Sequence, residues 1–122
     1  MKLHLAKNVG QNQFTGYGSG YVAVNNQRYE RSIVVTPAAI HDTWAVTGVD
    51  TIGANELAFL LELKPEILLL GTGSTHRFPG PEALREFARA QIGVESMGTA
   101  AACRTFNILM AEGRNVVAAV IV

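Results

Sequence analysis

Ile67-Leu68-Leu69-Leu70-Gly71-Thr72-Gly73-Ser74-Thr75-His76-Arg77-Phe78-Pro79-Gly80-Pro81 is the stretch on which the fold turns. Its first four residues are apolar without alternation, the pattern of a parallel strand covered on both faces. Two glycines then release the chain, and Pro81 is suited to the first position of a helix because the amide hydrogen it lacks would have no partner there. A buried strand running through a glycine-bearing exit into a helix is the unit of an α/β sheet.

Outward from that unit the alternation continues. Downstream, Gly93–Met97 predicts a short strand, Thr99–Glu112 a third helix ending at Gly113, and Val116–Val122 a last strand that is apolar throughout. Leu84, Phe87 and Ala88 are the expected inward stripe of the helix from Pro81, with Glu82–Arg85 and Glu86–Arg89 as solvated pairs on its outer face. Upstream, Glu56–Leu63 predicts a first helix, capped by Asn55 and ended by Pro65. Leu57, Phe59, Leu60, Leu61 and Leu63 make it apolar on most sides, so it is either sandwiched or used in self-association. Before it, a polar lead over Val9–Gly20 precedes two β-like runs, Tyr21–Val24 and Tyr29–Val35. They are read as a hairpin across Asn25-Asn26-Gln27-Arg28, since asparagine tolerates positive φ. Trp44–Val49 is expected to add a third strand after a turn at His41-Asp42. The sum is an α/β fold: a single three-layer domain over residues 1–122 with a mixed β-sheet, an N-terminal β-hairpin and then helix-strand repeats.

Composition agrees with one such domain. The chain has 122 residues, 48% of them hydrophobic and 16% charged, which is a globular balance. Ten basic residues offset ten acidic ones, so the field that draws many proteins to nucleic acid is missing, and no nucleic acid is expected as partner. Met1–Lys7 has no apolar run of signal-peptide length, and no stretch reaches a membrane span, so a cytoplasmic location is expected. Cys103 is the sole cysteine, which excludes an internal disulfide and argues against a thiolate-rich zinc site. His4, His41 and His76 have no metal-site spacing, so neither a metal nor a cofactor is expected.

Chemistry, if any, belongs at the carboxyl end of the central strand, the edge where open α/β sheets bind ligands. Gly71 and Gly73 allow close backbone approach, and Ser74, His76 and Arg77 stand beside them, a set able to hold a carboxylate or phosphate. The spacing is neither a dinucleotide fingerprint nor a P-loop. Its bland counterpart is a tight strand exit built of turn residues. Thr99, at a second strand-to-helix junction on the same edge, is a candidate N-cap. Arg104 and Asn107, three apart on the third helix, can line a crevice between the junctions, or serve as a surface residue and a backbone clamp. Cys103, in the first turns of that helix, is either a nucleophile or a small buried hydrophobe among Ala101, Ala102 and Phe106. No catalytic residues are assigned.

The segments Leu69-Leu70-Gly71-Thr72-Gly73, Val94-Glu95-Ser96-Met97-Gly98-Thr99 and Ala102-Cys103-Arg104-Thr105-Phe106-Asn107-Ile108-Leu109-Met110-Ala111-Glu112-Gly113-Arg114 resemble the domain-of-unknown-function family 498 over nearly the whole chain. That family includes the mitochondrial complex I assembly factor 3 and the adipogenesis-associated domain protein. The resemblance implies a compact α/β domain with a mixed sheet and marks Gly71, Gly73, Thr99, Arg104, Asn107 and Arg114 as family-typical. It favours an uncharacterised, non-catalytic protein-binding or assembly-factor-like module with a protein partner. The alternative is a small-molecule or anion-binding enzyme using the Gly71–Arg77 loop. A homodimer built on the first helix or a sheet edge is compatible with both.

Overall fold

The structure is a computed structural model that describes residues 11–122; the Met1–Lys7 start and His4 lie outside the described residues. Segments that are apolar at every position belong in the middle of a sheet, and that is where two of them sit. The strands β6 (Ile67–Thr72) and β8 (Val116–Ile121) pair in parallel at the centre of a five-stranded sheet. β7 (Gly93–Met97) extends it in parallel beyond β6, while β4 (Ile33–Val35) lies antiparallel to β8 and β5 (Ile40–His41) antiparallel to β4. The order is β5-β4-β8-β6-β7.

Because strand side chains alternate between faces, each central strand feeds two cores. Val116, Ala118, Val120, Leu69, Ile33 and Val35 face one layer, made of helix α3 (Thr99–Ala111) and a small antiparallel sheet of β1 (Phe14–Gly18), β2 (Tyr21–Val24) and β3 (Gln27–Tyr29). Val117, Ala119, Ile121, Leu68, Leu70 and Val34 face the other layer, made of α1 (Ala54–Glu62), α2 (Pro81–Arg89) and an irregular segment carrying Trp44 and Val46. The expected α/β class with a mixed sheet between two layers is what the chain forms.

The N-terminal third departs from expectation in ways its residues explain. Asn25 (φ 53°) and Asn26 (φ 68°) both adopt left-handed values, closing a two-residue turn so that β3 starts at Gln27, within the expected four-residue loop. The expected run Tyr29–Val35 is split: β3 ends at Tyr29, and Ile33–Val35, buried on both faces, crosses to the large sheet. The supposed polar lead contains β1, which Phe14 anchors by meeting the Phe106 ring edge-on at 5.4 Å. Trp44–Val49 forms no strand. Trp44 and Val46 are buried from an irregular path, and β5 occupies the expected turn at His41.

Helix ends shift by a residue or two. α1 starts at Ala54 behind Gly53, not behind Asn55, and the Glu56 carboxylate reaches back to accept the Gly53 N–H at 3.0 Å. Only Leu60 of α1 is fully buried, with Leu57, Phe59, Leu61 and Leu63 half-buried against the same core. On α2 Phe87 alone is buried; Leu84 and Ala88 of the expected stripe are exposed, because the short helix touches the sheet along one line.

Candidate functional site

β6 delivers the chain to its carboxyl end at Gly71, and the reason for glycine there is packing. A Cβ would stand 3.1 Å from the Thr99 Cα and Oγ1 and from the Val120 Cγ1, so the absent side chain is what lets α3 start against the sheet. Gly73 follows at φ 96°, a left-handed conformation that favours glycine. Its N–H donates to the Thr99 hydroxyl at 2.8 Å, and its carbonyl accepts the Thr99 N–H at 2.9 Å. The Thr99 hydroxyl in turn donates to the Ile121 carbonyl at 2.6 Å. Thr99 therefore is not the N-cap, a position Gly98 takes, but a clasp joining β6, α3 and β8.

The loop beyond is closed on itself as well. The Thr72 hydroxyl donates to the Thr75 carbonyl at 2.7 Å and accepts the Arg77 N–H at 3.0 Å. The backbone N–H groups of Gly73, Arg77 and Thr99 are thus engaged inside the fold.

Over this clasp lies a cleft of about 550 Å³, within the size range of small-molecule sites. Gly73, Ser74, Arg77 and Thr99 line it, together with the β1–β2 turn (Tyr17–Tyr21) and Thr47–Asp50. Arg77 approaches Asp50 at 3.9 Å, both exposed, in a pair that water screens. The other expected residues are elsewhere. Gly71 is buried beneath the clasp, and His76 is not on the cleft wall, its ring meeting that of Phe78 at a tilt of 51° with centroids 4.5 Å apart. Sequence reasoning missed Tyr17 and Tyr21. The signal is Tyr17-Gly18-Ser19-Gly20-Tyr21, a turn sequence flanked by aromatic residues where the polar lead meets the first β-like run.

On α3, Asn107 clamps β1: its Oδ1 accepts the Phe14 N–H at 2.9 Å and its Nδ2 donates to the Phe14 carbonyl at 2.8 Å. Arg104 is exposed and donates to the Tyr17 hydroxyl at 2.8 Å. Cys103 is fully buried, and desolvation pushes its thiol up to about 12, far from the thiolate a nucleophile needs. Arg114 sits at the opposite end of the sheet, where it holds Glu66 at 2.7 Å and keeps that carboxyl below its ordinary value. Among the described residues no group of three His, Cys, Asp or Glu side chains is placed to hold a metal ion, and no helix is long and apolar enough to cross a membrane.

Comparison with known proteins bears on this arrangement. The family model described as Protein of unknown function (DUF498/DUF598) matches residues 14–121. A crystal structure of a Bordetella parapertussis protein is similar at TM-score 0.86 and 42% identity, covering 93% of this chain and 97% of that one. The 13 kDa major membrane protein of Francisella tularensis subsp. holarctica is 29% identical over 104 residues, 84% of this chain and 85% of that protein. NADH dehydrogenase (ubiquinone) 1 alpha subcomplex assembly factor 3 of Danio rerio is 35% identical over 104 residues, 84% of this chain. The matched region spans 59% of that relative's length.

Proposed function

This chain belongs to the family described as Protein of unknown function (DUF498/DUF598), and from that premise we propose that it is a non-catalytic protein-binding module, assembly-factor-like in its mode of action. The observation that carries this reading is the pairing of a closed strand exit with an exposed anchor. The N–H groups of Gly73 and Thr99 each donate to an oxygen of the other residue, while Phe78, six residues beyond Thr72, is 76% exposed with the His76 ring tilted against it. A large aromatic side chain held outward by a neighbour loses little conformational freedom on docking, a property of residues that dominate protein interfaces. The buried, protonated Cys103 and the name of the Danio rerio relative support the same direction.

The test is affinity capture from the native host at near-physiological salt, comparing the chain with its Phe78→Ala variant. The proposal expects one partner retained in fixed ratio by the unaltered chain and lost with the variant, whose fold is unchanged. No retained partner, or equal retention by both, contradicts it.

One observation favours a second reading, a small-molecule or anion site: the 550 Å³ cleft with Ser74, Arg77, Tyr17 and Tyr21 on its walls. Titration with inorganic phosphate and with short carboxylates, followed by amide shifts of Ser74 and Arg77, supports this reading if both move saturably and removes it if neither does.

A further inference from the structure

α3 buries one side against the β1–β3 sheet and the large sheet and leaves the other to solvent. Along that outer side Arg104, Ile108 and Glu112 follow one another at intervals of four, so they fall on one stripe. Ile108 is 60% exposed, a branched aliphatic side chain in water between a cation and an anion. Neither Arg104 nor Glu112 forms an ion pair among the described residues. Arg114, two residues beyond Glu112, feels that carboxylate's charge, but its hydrogen bonds go to Glu66, so Glu112 has no bonded cation among the described residues. Arg104 is presented in a fixed orientation by the Tyr17 hydroxyl, which takes one of its five N–H groups and leaves the rest available.

The stripe is its own complement. Rotation by a half-turn about an axis through Ile108 carries position 104 onto 112, so two copies of α3 laid antiparallel bring Ile108 against Ile108 and Arg104 against Glu112 twice. Isologous pairing of this kind closes on itself and leaves no open end. Thr105, beside the stripe, has its hydroxyl engaged with the Ala101 carbonyl at 2.8 Å and brings no unmet donor to the contact. We propose that the outer face of α3 is a self-association surface whose occupant is a second copy of this chain, with Ile108 on the two-fold axis and Arg104 paired with Glu112 of the other copy. The face is separate from Phe78 and meets the cleft only through the Arg104–Tyr17 hydrogen bond, which the pairing leaves in place, so loss of the dimer in Ile108→Asp is distinguishable from failure of either functional reading.

Sedimentation equilibrium of the whole chain over a concentration series tests it. The unaltered chain is expected to show a monomer–dimer equilibrium. Arg104→Glu and Glu112→Arg each turn two attractive contacts into repulsive ones and are expected to weaken the dimer on the order of tenfold. Mixing the two variants is expected to restore association, since in the mixed pair each contact again joins a cation to an anion. Ile108→Asp, which leaves Arg104, Glu112 and Tyr17 in place but sets two like carboxylates against each other on the two-fold axis, is expected to lose the dimer on its own and covers the case in which Arg104→Glu fails to fold. A chain monomeric at every concentration overturns the proposal. So does a variant mixture that stays monomeric, or an Ile108→Asp chain that associates as before.

Discussion

α2 and α3 follow neighbouring parallel strands and cover opposite faces of one sheet, yet they are held in different ways. α3 buries Thr99, Ala102, Cys103, Phe106 and Met110 and is tied by side-chain hydrogen bonds to β1, to the β6 exit and to β8. α2 buries Phe87 alone. The exit of β7 is thus fixed from several directions, while the exit of β6 leads through exposed Ser74–Phe78 into a helix anchored at one point. Buried side chains and hydrogen bonds are concentrated at the β7 exit, and beyond the Gly73 clasp the Ser74–Phe78 segment is left accessible for contact with other molecules.

The sharpest way to break this comparison is a pair of truncations read by urea denaturation. Phe106→Ala, in the layer where Phe14 packs on it, is expected to cost about 3 to 5 kcal/mol, and Phe87→Ala to fall at the lower end of that range, because α2 lies at the margin of its core. Equal losses would deny the asymmetry. A smaller effect is expected from Asn107→Ala. It strips both partners from the Phe14 peptide and costs about 1 to 3 kcal/mol, with faster amide exchange along β1 as its local signature.

The smallest effect lies where α3 leads back into β8. The hydrogen bond from Arg114 holds Glu66 below its ordinary pKa, so the contact stabilises the fold above the unfolded-state value and the contribution disappears as pH falls through the folded-state value. The stability difference between the unaltered chain and Glu66→Gln is therefore expected to shrink on acidification through the carboxylate range. A difference that is constant with pH would remove the pair from the account.

Legibility in the sequence follows the same division. From α1 to β8 the chain alternates helix and strand with local contacts, and apolar runs, Pro81 and the Gly113 stop fix each element to within two residues. The first third has no such grammar. β1 is recognisable only through what it touches: Phe14 and Asn107 are joined by two hydrogen bonds across 93 positions, a relation invisible to any local pattern. Trp44 is buried by position, its indole N–H reaching the Glu56 carbonyl at 3.5 Å from a segment with no regular structure. At the site, Gly71, Gly73 and Thr99 were recognisable as belonging together, and their chemistry was not. Both a ligand cradle and a clasp need glycine at a strand end, and only the distances to Thr99 separate them. Likewise Asn107 and Arg104 were visible as polar residues on an apolar helix, but the partners that engage them, Phe14 and Tyr17, come from β1.

The claim on which the rest depends is that the two strand exits hold each other and are not waiting for a ligand. Amide hydrogen exchange at Gly73 and Thr99, followed by NMR with and without inorganic phosphate, addresses it directly. Donors engaged at 2.8 and 2.9 Å predict exchange as slow as in the central strands and no shift on adding phosphate; loop-like exchange at both amides, with a saturable phosphate shift, would contradict it.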